Sequence, residues 1–314
     1  MIIKNTSLEV LRECYYEKND ALGAMISNNL YLSVIATNAC QRNCPYCINS
    51  LTDRSLSLPY EKATKNILNA VKKIGIKEAV ILGGEPTIYP KLTDLIRFLK
   101  CECKLRRVGF TTNGIKLTNK EFFINLIKTG VDFINISYHK DNEFITYEQL
   151  KLIRRVFKQN AMPNQKMRIN TNVWKGNHDN FDEIIAWLNH ISICCDEIRL
   201  SNIIHKDDFS VNPKAVSEAE EMYMTDSEYE KLFNDILEYY DKKYTIIHNP
   251  EALGFVHYYL IPLPVPVIIN WNIDSKVSEQ VCENDINNKK IHTVKCLVSG
   301  DISLSWNLSN KIDL

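Results

Sequence analysis

The chain lacks several features that would place it in a special class of protein. No apolar run reaches the length needed to span a membrane, and residues 1–5 lack the pattern of a signal peptide. Internal repeats, low-complexity tracts and a flexible linker are also missing from the 314 residues. We therefore expect a globular protein of the cytoplasm.

The chain also has no excess of positive or negative charge. The 38 basic residues balance the 38 acidic residues, so the net charge does not indicate bulk nucleic-acid or membrane-surface binding. In the reducing cytoplasm, the ten cysteines are expected to be thiols or metal ligands and not disulfides. The length suits one α/β barrel, alone or with a small second domain.

Three of the cysteines stand in an eight-residue stretch, at Cys40, Cys44 and Cys47. An apolar run at residues 30–36 predicts a buried strand just before them, so the cysteines fall on a loop at a strand end. Three thiolates can hold three corners of a [4Fe-4S] cluster and leave one iron open. A structural zinc site would need a fourth ligand at close spacing, and a trio of ordinary buried thiols is the other alternative.

A second motif, Gly83-Gly84-Glu85-Pro86, follows a predicted strand at residues 78–82. Two glycines allow a sharp turn and let a ligand approach the backbone, where exposed carbonyl groups can accept hydrogen bonds from an ammonium group. Glu85 adds a negative charge, and Pro86 ends the strand. A plain turn from strand to helix is the alternative, but the position about 40 residues after the cysteines favours a ligand site.

Strands and helices alternate between residues 30 and 201. Predicted strands lie at 30–36, 78–82, 107–111, 133–137, 167–173 and 197–200. Predicted helices lie between them, ending near 74 with Gly75 as C-cap and then at 92–101, 119–128, 147–158 and 180–191, the last with Asp179 as N-cap. Strands joined by helices must pair in parallel with right-handed crossovers. The expected fold is α/β, a partial (β/α)6 TIM-like barrel with a C-terminal α+β cap.

Polar residues recur where these strands end. In a parallel barrel that end carries the active site, so we expect these side chains to meet. They are Glu85, Thr112, Asn113, Ser137, His139, Asn170, Asn172, Arg199 and Ser201.

The pattern changes after residue 201. Residues 218–240 predict one or two acidic amphipathic helices, and residues 245–247 a short strand. The stretch 254–266 would either cover the open barrel mouth or pack as a loop over the core, and a hairpin is expected at 300–306. We therefore divide the chain into an N-terminal segment (1–29), the barrel (30–205) and a substrate-covering region (206–314).

These motifs resemble those of the radical S-adenosylmethionine (SAM) superfamily. The cysteines match its C-x3-C-x2-C signature, and Gly83-Gly84-Glu85-Pro86 matches its GGE motif. Residues 111–114, 134–137 and 168–173 are similar to strand ends of the subgroup that includes the molybdenum-cofactor cyclase and the SPASM/twitch peptide-modifying enzymes. The resemblance covers residues 30–201.

The resemblance implies a [4Fe-4S] cluster on Cys40, Cys44 and Cys47, with SAM bound to the open iron. An electron, from a donor such as flavodoxin or ferredoxin, would cleave SAM to methionine and a 5′-deoxyadenosyl radical that abstracts hydrogen from a peptide or small molecule. Tyr46 would pack near the adenine or shield the cluster. The implied SAM-binding residues are Tyr46, Gly83, Gly84, Glu85, Pro86, Thr112, Asn113, Ser137, Asn170, Asn172 and Arg199.

The C-terminal region departs from that subgroup, whose members carry further cysteines for auxiliary clusters. Only Cys282 and Cys296 stand there, so we expect a single cluster and a degenerate, twitch-like cap. A viperin-like, nucleotide-modifying enzyme remains an alternative, and a non-catalytic metal-binding module is a more remote one. No catalytic residue is assigned, and the candidate substrate contacts are His139, Arg199, His205, His257 and Tyr258.

Overall fold

A computed structural model describes residues 4–5, 31–47, 52–140, 144–203, 220–249, 256–272, 284–285, 290–291 and 293–303. The strands are β1 (Lys4–Asn5), β2 (Tyr31–Thr37), β3 (Glu78–Gly83), β4 (Arg107–Thr112), β5 (Phe133–Ser137), β6 (Lys166–Val173), β7 (Glu197–Asn202), β8 (Ile247–Asn249), β9 (Val256–Ile261), β10 (Val267–Asn272), β11 (Asn284–Asp285), β12 (Lys290–Ile291), β13 (Thr293–Cys296) and β14 (Ile302–Ser303). The α-helices are α1 (Tyr60–Ile74), α2 (Leu92–Arg97), α3 (Lys120–Ile127), α4 (Tyr147–Asn160), α5 (Phe181–Ser192) and α6 (Asp226–Asp241).

One large sheet organises the described residues. Its strand order is β1-β8-β9-β10-β7-β6-β5-β4-β3-β2-β13-β14, and β11 pairs separately with β12. Strands β2 to β7 pair in parallel in chain order, with a helix between each consecutive pair. Within the described residues the sheet is open, with β1 and β14 at its edges. The predicted partial α/β barrel is therefore confirmed.

The C-terminal region extends this parallel run on both sides. Strand β10 pairs in parallel with β7, where Asn270 lies opposite Ser201, and β13 pairs in parallel with β2, where Cys296 lies opposite Val34. Eight neighbouring strands, β13, β2 to β7 and β10, are thus parallel among the described residues. The extension matters for the site because it adds the carboxyl end of β10 to those of the first six strands.

The stretch 254–266, expected either to cover the barrel mouth or to pack as a loop over the core, is a strand in part. Residues 256–261 form β9, which pairs antiparallel with β10 and β8, so the loop alternative is wrong for them. Their run of Val, Tyr, Leu and Ile favours a half-buried strand once a partner strand is available. A hairpin is present, but it begins earlier than the expected range 300–306. Strand β13 pairs antiparallel with β14, Gly300 lies in the left-handed turn between them (φ 81°), and residues 304–306 lie outside the described residues.

Helix ends follow local capping chemistry. Gly75 ends α1 in the left-handed conformation, as predicted, and donates its N–H to Val71. The predicted N-cap of α5 at Asp179 is wrong, because the Asn180 side chain accepts the N–H of Glu183 instead. The Asp179 carboxylate accepts the N–H of Gly176 and closes the preceding turn.

Two further helices differ in detail from expectation. The predicted helix at 92–101 is α2 followed by a π-helical turn at Phe98–Glu102. The described part of the acidic stretch 218–240 contains the amphipathic helix α6, which begins with a capping box between Thr225 and Glu228. Its apolar face is buried through Tyr229, Leu232, Phe233, Ile236, Leu237 and Tyr240.

The core lies between the sheet and its helices. Alternate residues of β2, Leu32, Val34 and Ala36, are fully buried in it. Among the described helices, none is both long and apolar enough to cross a bilayer.

Candidate radical SAM site

A cavity of about 430 Å³ opens at the carboxyl ends of the parallel strands. It brings together the cysteine loop and all nine of the polar strand-end residues that the sequence singled out. The cavity is lined by Ile35, Cys40, Arg42, Cys44, Tyr46, Cys47, Leu82, Gly83, Gly84, Glu85, Thr111, Thr112, Asn113, Ser137, His139, Asn170, Asn172, Arg199, Ser201, Asn202, Ile203 and Asn270.

The three cysteines lie partly buried along one wall of this cavity. The Arg42 N–H donates to Cys40 Sγ at 3.3 Å, and the Cys47 N–H donates to the Cys44 carbonyl at 3.0 Å. Burial raises the pKa of the Cys40 thiol, and the charges of Glu85 and Cys44 also raise it, while the Arg42 N–H and the Arg54 guanidinium oppose the shift.

The donor set of the cavity suits an iron–sulfur cluster. Three cysteines line it, and in a [4Fe-4S] cluster each thiolate binds a different iron, so three thiolates leave one iron open. A closed structural zinc site takes four ligands. Among the described residues, no group of three His, Cys, Asp or Glu side chains is arranged to hold a single metal ion.

The two glycines of the second motif are required by the backbone of the cysteine loop. Gly84 donates its N–H to the Thr37 carbonyl at 2.6 Å, and Glu85 donates its N–H to the Ala39 carbonyl at 2.7 Å. A Cβ atom on Gly84 would lie 2.2 Å from the Ala39 oxygen, and Gly83 has a φ of 137°. Only glycine therefore lets the start of the cysteine loop lie against the end of β3.

Glu85 joins the ends of β3 and β4. Its carboxylate is 1% exposed. Oε1 accepts from the Thr87 N–H at 2.9 Å, the Thr87 hydroxyl at 2.5 Å and the Thr112 hydroxyl at 2.7 Å, and Oε2 accepts from the Asn113 N–H at 2.7 Å. These four donors replace the water molecules that the carboxylate loses on burial, so the Glu85 side chain holds the ends of β3 and β4 together.

Asn113 carries this connection to the cysteines, since its side-chain amide donates to Gln41 Oε1 at 3.3 Å. The carboxyl end of β4 is thereby tied to the residue that follows Cys40.

His139 is a buried, neutral base at the end of β5. Its Nδ1 accepts the Asn172 N–H at 3.1 Å, which assigns the remaining ring proton to Nε2. Burial is the main cause that lowers the pKa of His139, to about 3, and the nearby charges of Arg42 and His178 act in the same direction.

Tyr46 closes the cavity beside the cysteines. Its ring lies 4.8 Å from the Trp174 ring and 5.6 Å from the His139 ring, centroid to centroid. Tyr46 and Trp174 pack against a small apolar cluster of Ile203 and Tyr223. Burial raises the pKa of the Tyr46 hydroxyl, so the side chain remains neutral. These contacts favour the interpretation that Tyr46 shields the cysteine loop, and its contact with an adenine stays a prediction.

The far wall contains a residue that the sequence reasoning missed, Asn270 on β10. It is 5% exposed, and its Oδ1 has no hydrogen-bond partner among the described residues. The same holds for Oδ1 of Asn170 on β6. The apolar run Val267-Ile268-Ile269 before Asn270 repeats the pattern of the earlier strands and was the signal available in the sequence.

Several predicted residues lie elsewhere. Pro86 is buried at the start of a 3-10 turn and does not line the cavity. His257 and Tyr258 belong to β9, but their side chains lie outside the described residues, as do His205 and Cys282. Cys296 is fully buried in the core, where burial raises the pKa of its thiol to about 12.

The family model described as "Radical SAM superfamily" matches residues 34–191, which is half of the chain. The chain belongs to the radical SAM superfamily. Enzymes of this superfamily use a [4Fe-4S] cluster and SAM, and the matched segment contains the cysteine loop, the Gly-Gly-Glu turn and the strand ends up to β6.

Curated relatives that resemble this radical SAM chain include two GTP 3′,8-cyclases. That of Chlorobaculum tepidum is 27% identical over 167 residues, which cover 50% of this chain and 48% of the relative. That of Thermodesulfovibrio yellowstonii is 30% identical over 170 residues, covering 50% of this chain and 52% of the relative. The match therefore spans about half the length of these relatives.

Solved structures of Streptococcus suis SuiB share the fold. SuiB bound to S-adenosylmethionine superposes with a TM-score of 0.58 at 15% identity, covering 100% of this chain and 70% of SuiB. SuiB bound to its precursor peptide SuiA gives a TM-score of 0.57 at 16% identity, with 95% and 64% covered. At this identity the likeness supports the radical SAM fold alone.

Substitution of Gly84 tests the contact between β3 and the cysteine loop. We expect Gly84→Ala to displace the loop, because the new Cβ would lie 2.2 Å from a backbone oxygen. After anaerobic reconstitution, bound iron should fall well below the wild-type content. Gly176→Ala is the control for backbone strain without a clash, since Gly176 has a positive φ (81°), which Gly84 does not, and a Cβ there meets nothing within 4 Å. It should cost about 1 kcal/mol of stability and retain the iron; equal iron loss in both variants would contradict the steric explanation.

His139 predicts a pH dependence of stability. Its folded pKa of about 3 lies below the usual 6.5, so the unfolded chain binds a proton that the folded chain excludes. Stability from this residue is therefore complete above pH 6.5 and falls progressively towards pH 3, by about 2 kcal/mol at pH 5. His139→Asn can still accept the Asn172 N–H and should show a smaller loss between pH 7 and 5 in urea unfolding. Parallel pH profiles of the two proteins would refute a buried neutral imidazole.

Proposed function

We propose that Cys40, Cys44 and Cys47 bind a [4Fe-4S] cluster and that SAM binds at its open iron. Hydrogen abstraction from a peptide or small-molecule substrate would then follow in the same cavity. The observation that carries this proposal is the single cavity lined by the three cysteines, the Gly-Gly-Glu turn and the polar ends of β4 to β7. A metal-binding module without catalysis has no need of such a combination.

When bound and reduced, the cluster and SAM together supply a 5′-deoxyadenosyl radical. The chain itself holds and orients the reactants. The backbone at Gly83 and Gly84 lies beside the cysteines and suits the amino group of SAM. Ser137 and Asn172 line the same cavity, and we assign them to the ribose or carboxylate of SAM.

The walls also keep water from the reacting atoms. Tyr46, Trp174, Ile203 and Tyr223 form an apolar side to the cysteine loop. Neutral His139 adds a surface without charge, and its Nδ1 is already occupied by the Asn172 N–H. Exclusion of water protects a radical from side reactions.

We infer that two parts of the chain have different roles. Residues 30–205 would bind the cofactors, while residues 206–314 would cover and recognise the substrate, as a degenerate twitch-like cap without its own cluster. Support comes from β10, on which Asn270 lies opposite Ser201 and lines the same cavity. The core burial of Cys296 argues against a ligand role for that thiol.

A nucleotide substrate is the second candidate, because the curated relatives quoted above are GTP 3′,8-cyclases. Their match covers about half of each protein, so it does not extend to a whole substrate site. The proposed reaction also requires an external electron donor, such as flavodoxin or ferredoxin, to reduce the cluster.

Reconstitution with iron and sulfide tests the proposed cofactors. We expect a brown protein with about four irons that forms 5′-deoxyadenosine from SAM and dithionite. Cys44→Ala should lose both, whereas Cys103→Ala, which removes a buried thiol outside the cavity, should keep both. A colourless zinc protein, or full SAM cleavage by Cys44→Ala, would refute the ligand assignment. Added GTP should raise 5′-deoxyadenosine formation only if a nucleotide is the substrate.

Asn170 and Asn270 form a matched pair that separates SAM from substrate contacts. Both present a buried amide oxygen without a described partner in the same cavity. Asn170→Leu should reduce substrate-free SAM cleavage, while Asn270→Leu should leave it and the iron content unchanged. Asn270→Leu should also not lower the thermal midpoint, because it removes a buried unpaired acceptor whose burial costs roughly 1–3 kcal/mol. Loss of SAM cleavage in Asn270→Leu would instead place Asn270 at SAM.

A further inference from the structure

Two arginines flank the cysteine loop and are held by specific contacts. The Arg42 guanidinium lies 4.5 Å from the centre of the Phe144 ring, and Arg42, which stands between the first and second cysteine in the sequence, lines the cavity. A guanidinium over an aromatic face is held there by a favourable cation–π contact. The backbone N–H of the same residue donates to Cys40 Sγ.

Arg54 approaches the loop from the chain segment that follows it. Its Nη2 donates to Asn43 Oδ1 at 3.0 Å, so its charge is tied to the residue just before Cys44. Arg54, unlike Arg42, does not line the cavity.

Neither arginine has a role in binding SAM or substrate in the proposed function. Neither forms an ion pair with a carboxylate among those recorded for the described residues. The positive charges of Arg42 and Arg54 can therefore act on a cluster bound by the three thiolates of the loop.

We propose that Arg42 and Arg54 are positioning residues that raise the reduction potential of the cluster, each held in place by its tether, Phe144 or Asn43. The inference rests on the proposed function, because it needs a cluster on the loop. Net charge and hydrogen bonds to the sulfurs are established determinants of iron–sulfur potentials. Reduction adds one negative charge, and a nearby cation stabilises the reduced form more than the oxidised form. Removing either cation should therefore make the cluster harder to reduce.

The test is a redox titration of the reconstituted protein, followed by the electron paramagnetic resonance signal of the reduced cluster without SAM. Arg42→Met and Arg54→Met should each shift the midpoint to a more negative potential. Arg42→Lys and Arg54→Lys keep the charge and should shift it less. Phe144→Leu and Asn43→Ala release the tethers and should give shifts no larger than those of the Met variants. Arg97→Met removes an exposed arginine of α2 and should leave the potential unchanged.

The outcomes separate this inference from the proposed function. Unchanged midpoints in both Met variants, with wild-type iron content, overturn the inference and leave the proposed function intact. An unchanged midpoint in one variant removes that arginine from it. If the Met and Lys variants of one arginine both lose their iron, that arginine serves the folding of the loop, and its electrostatic role is overturned. A wild-type protein without a cluster overturns the proposed function and this inference together.

Discussion

The site depends on the contact between two backbones, where the start of the cysteine loop crosses the end of β3. The Gly84 and Glu85 N–H groups donate to the Thr37 and Ala39 carbonyls, and glycine is the only residue that permits this approach. The Glu85 side chain then binds the end of β4. One short turn thus places the cysteine loop, β3 and β4 relative to one another, and every other group of the cavity is positioned against that frame.

Much of this was accessible from the sequence because it rests on local pattern. Apolar runs and helical periodicity gave the strands β2 to β7, and the spacing of Cys40, Cys44 and Cys47 pointed to a cluster loop. The role of the glycine motif could be predicted only in part. The sequence indicated that glycine is needed there, but it did not identify the neighbour that requires it. That neighbour is the backbone at Ala39, which strand pairing brings close and local pattern does not specify.

The features that sequence reasoning missed depend on competition between two neighbouring residues for one capping role, or on a partner strand that is distant in the chain. Asp179 and Asn180 are both good N-caps, and only the turn at Gly176, which uses the Asp179 carboxylate, decides between them. Asn270 lies on β10, whose partner β7 comes much earlier in the chain. The apolar run before Asn270 predicts a strand equally well at an edge or beside β7, so its place in the cavity followed only from the structure.

Two charged groups of the cavity, Glu85 and Arg199, differ in what they contribute to binding. The Glu85 carboxylate accepts hydrogen bonds from four protein donors and stabilises the site, so it is a poor counter-charge for a ligand. The remaining polar wall at β6, β7 and β10 combines the cation Arg199 with the amide oxygens of Asn170 and Asn270. Such a wall favours a group that offers both acceptors and N–H or O–H donors. A purely apolar group against this wall would leave the buried amide oxygens of Asn170 and Asn270 without a hydrogen-bond donor, which is energetically unfavourable.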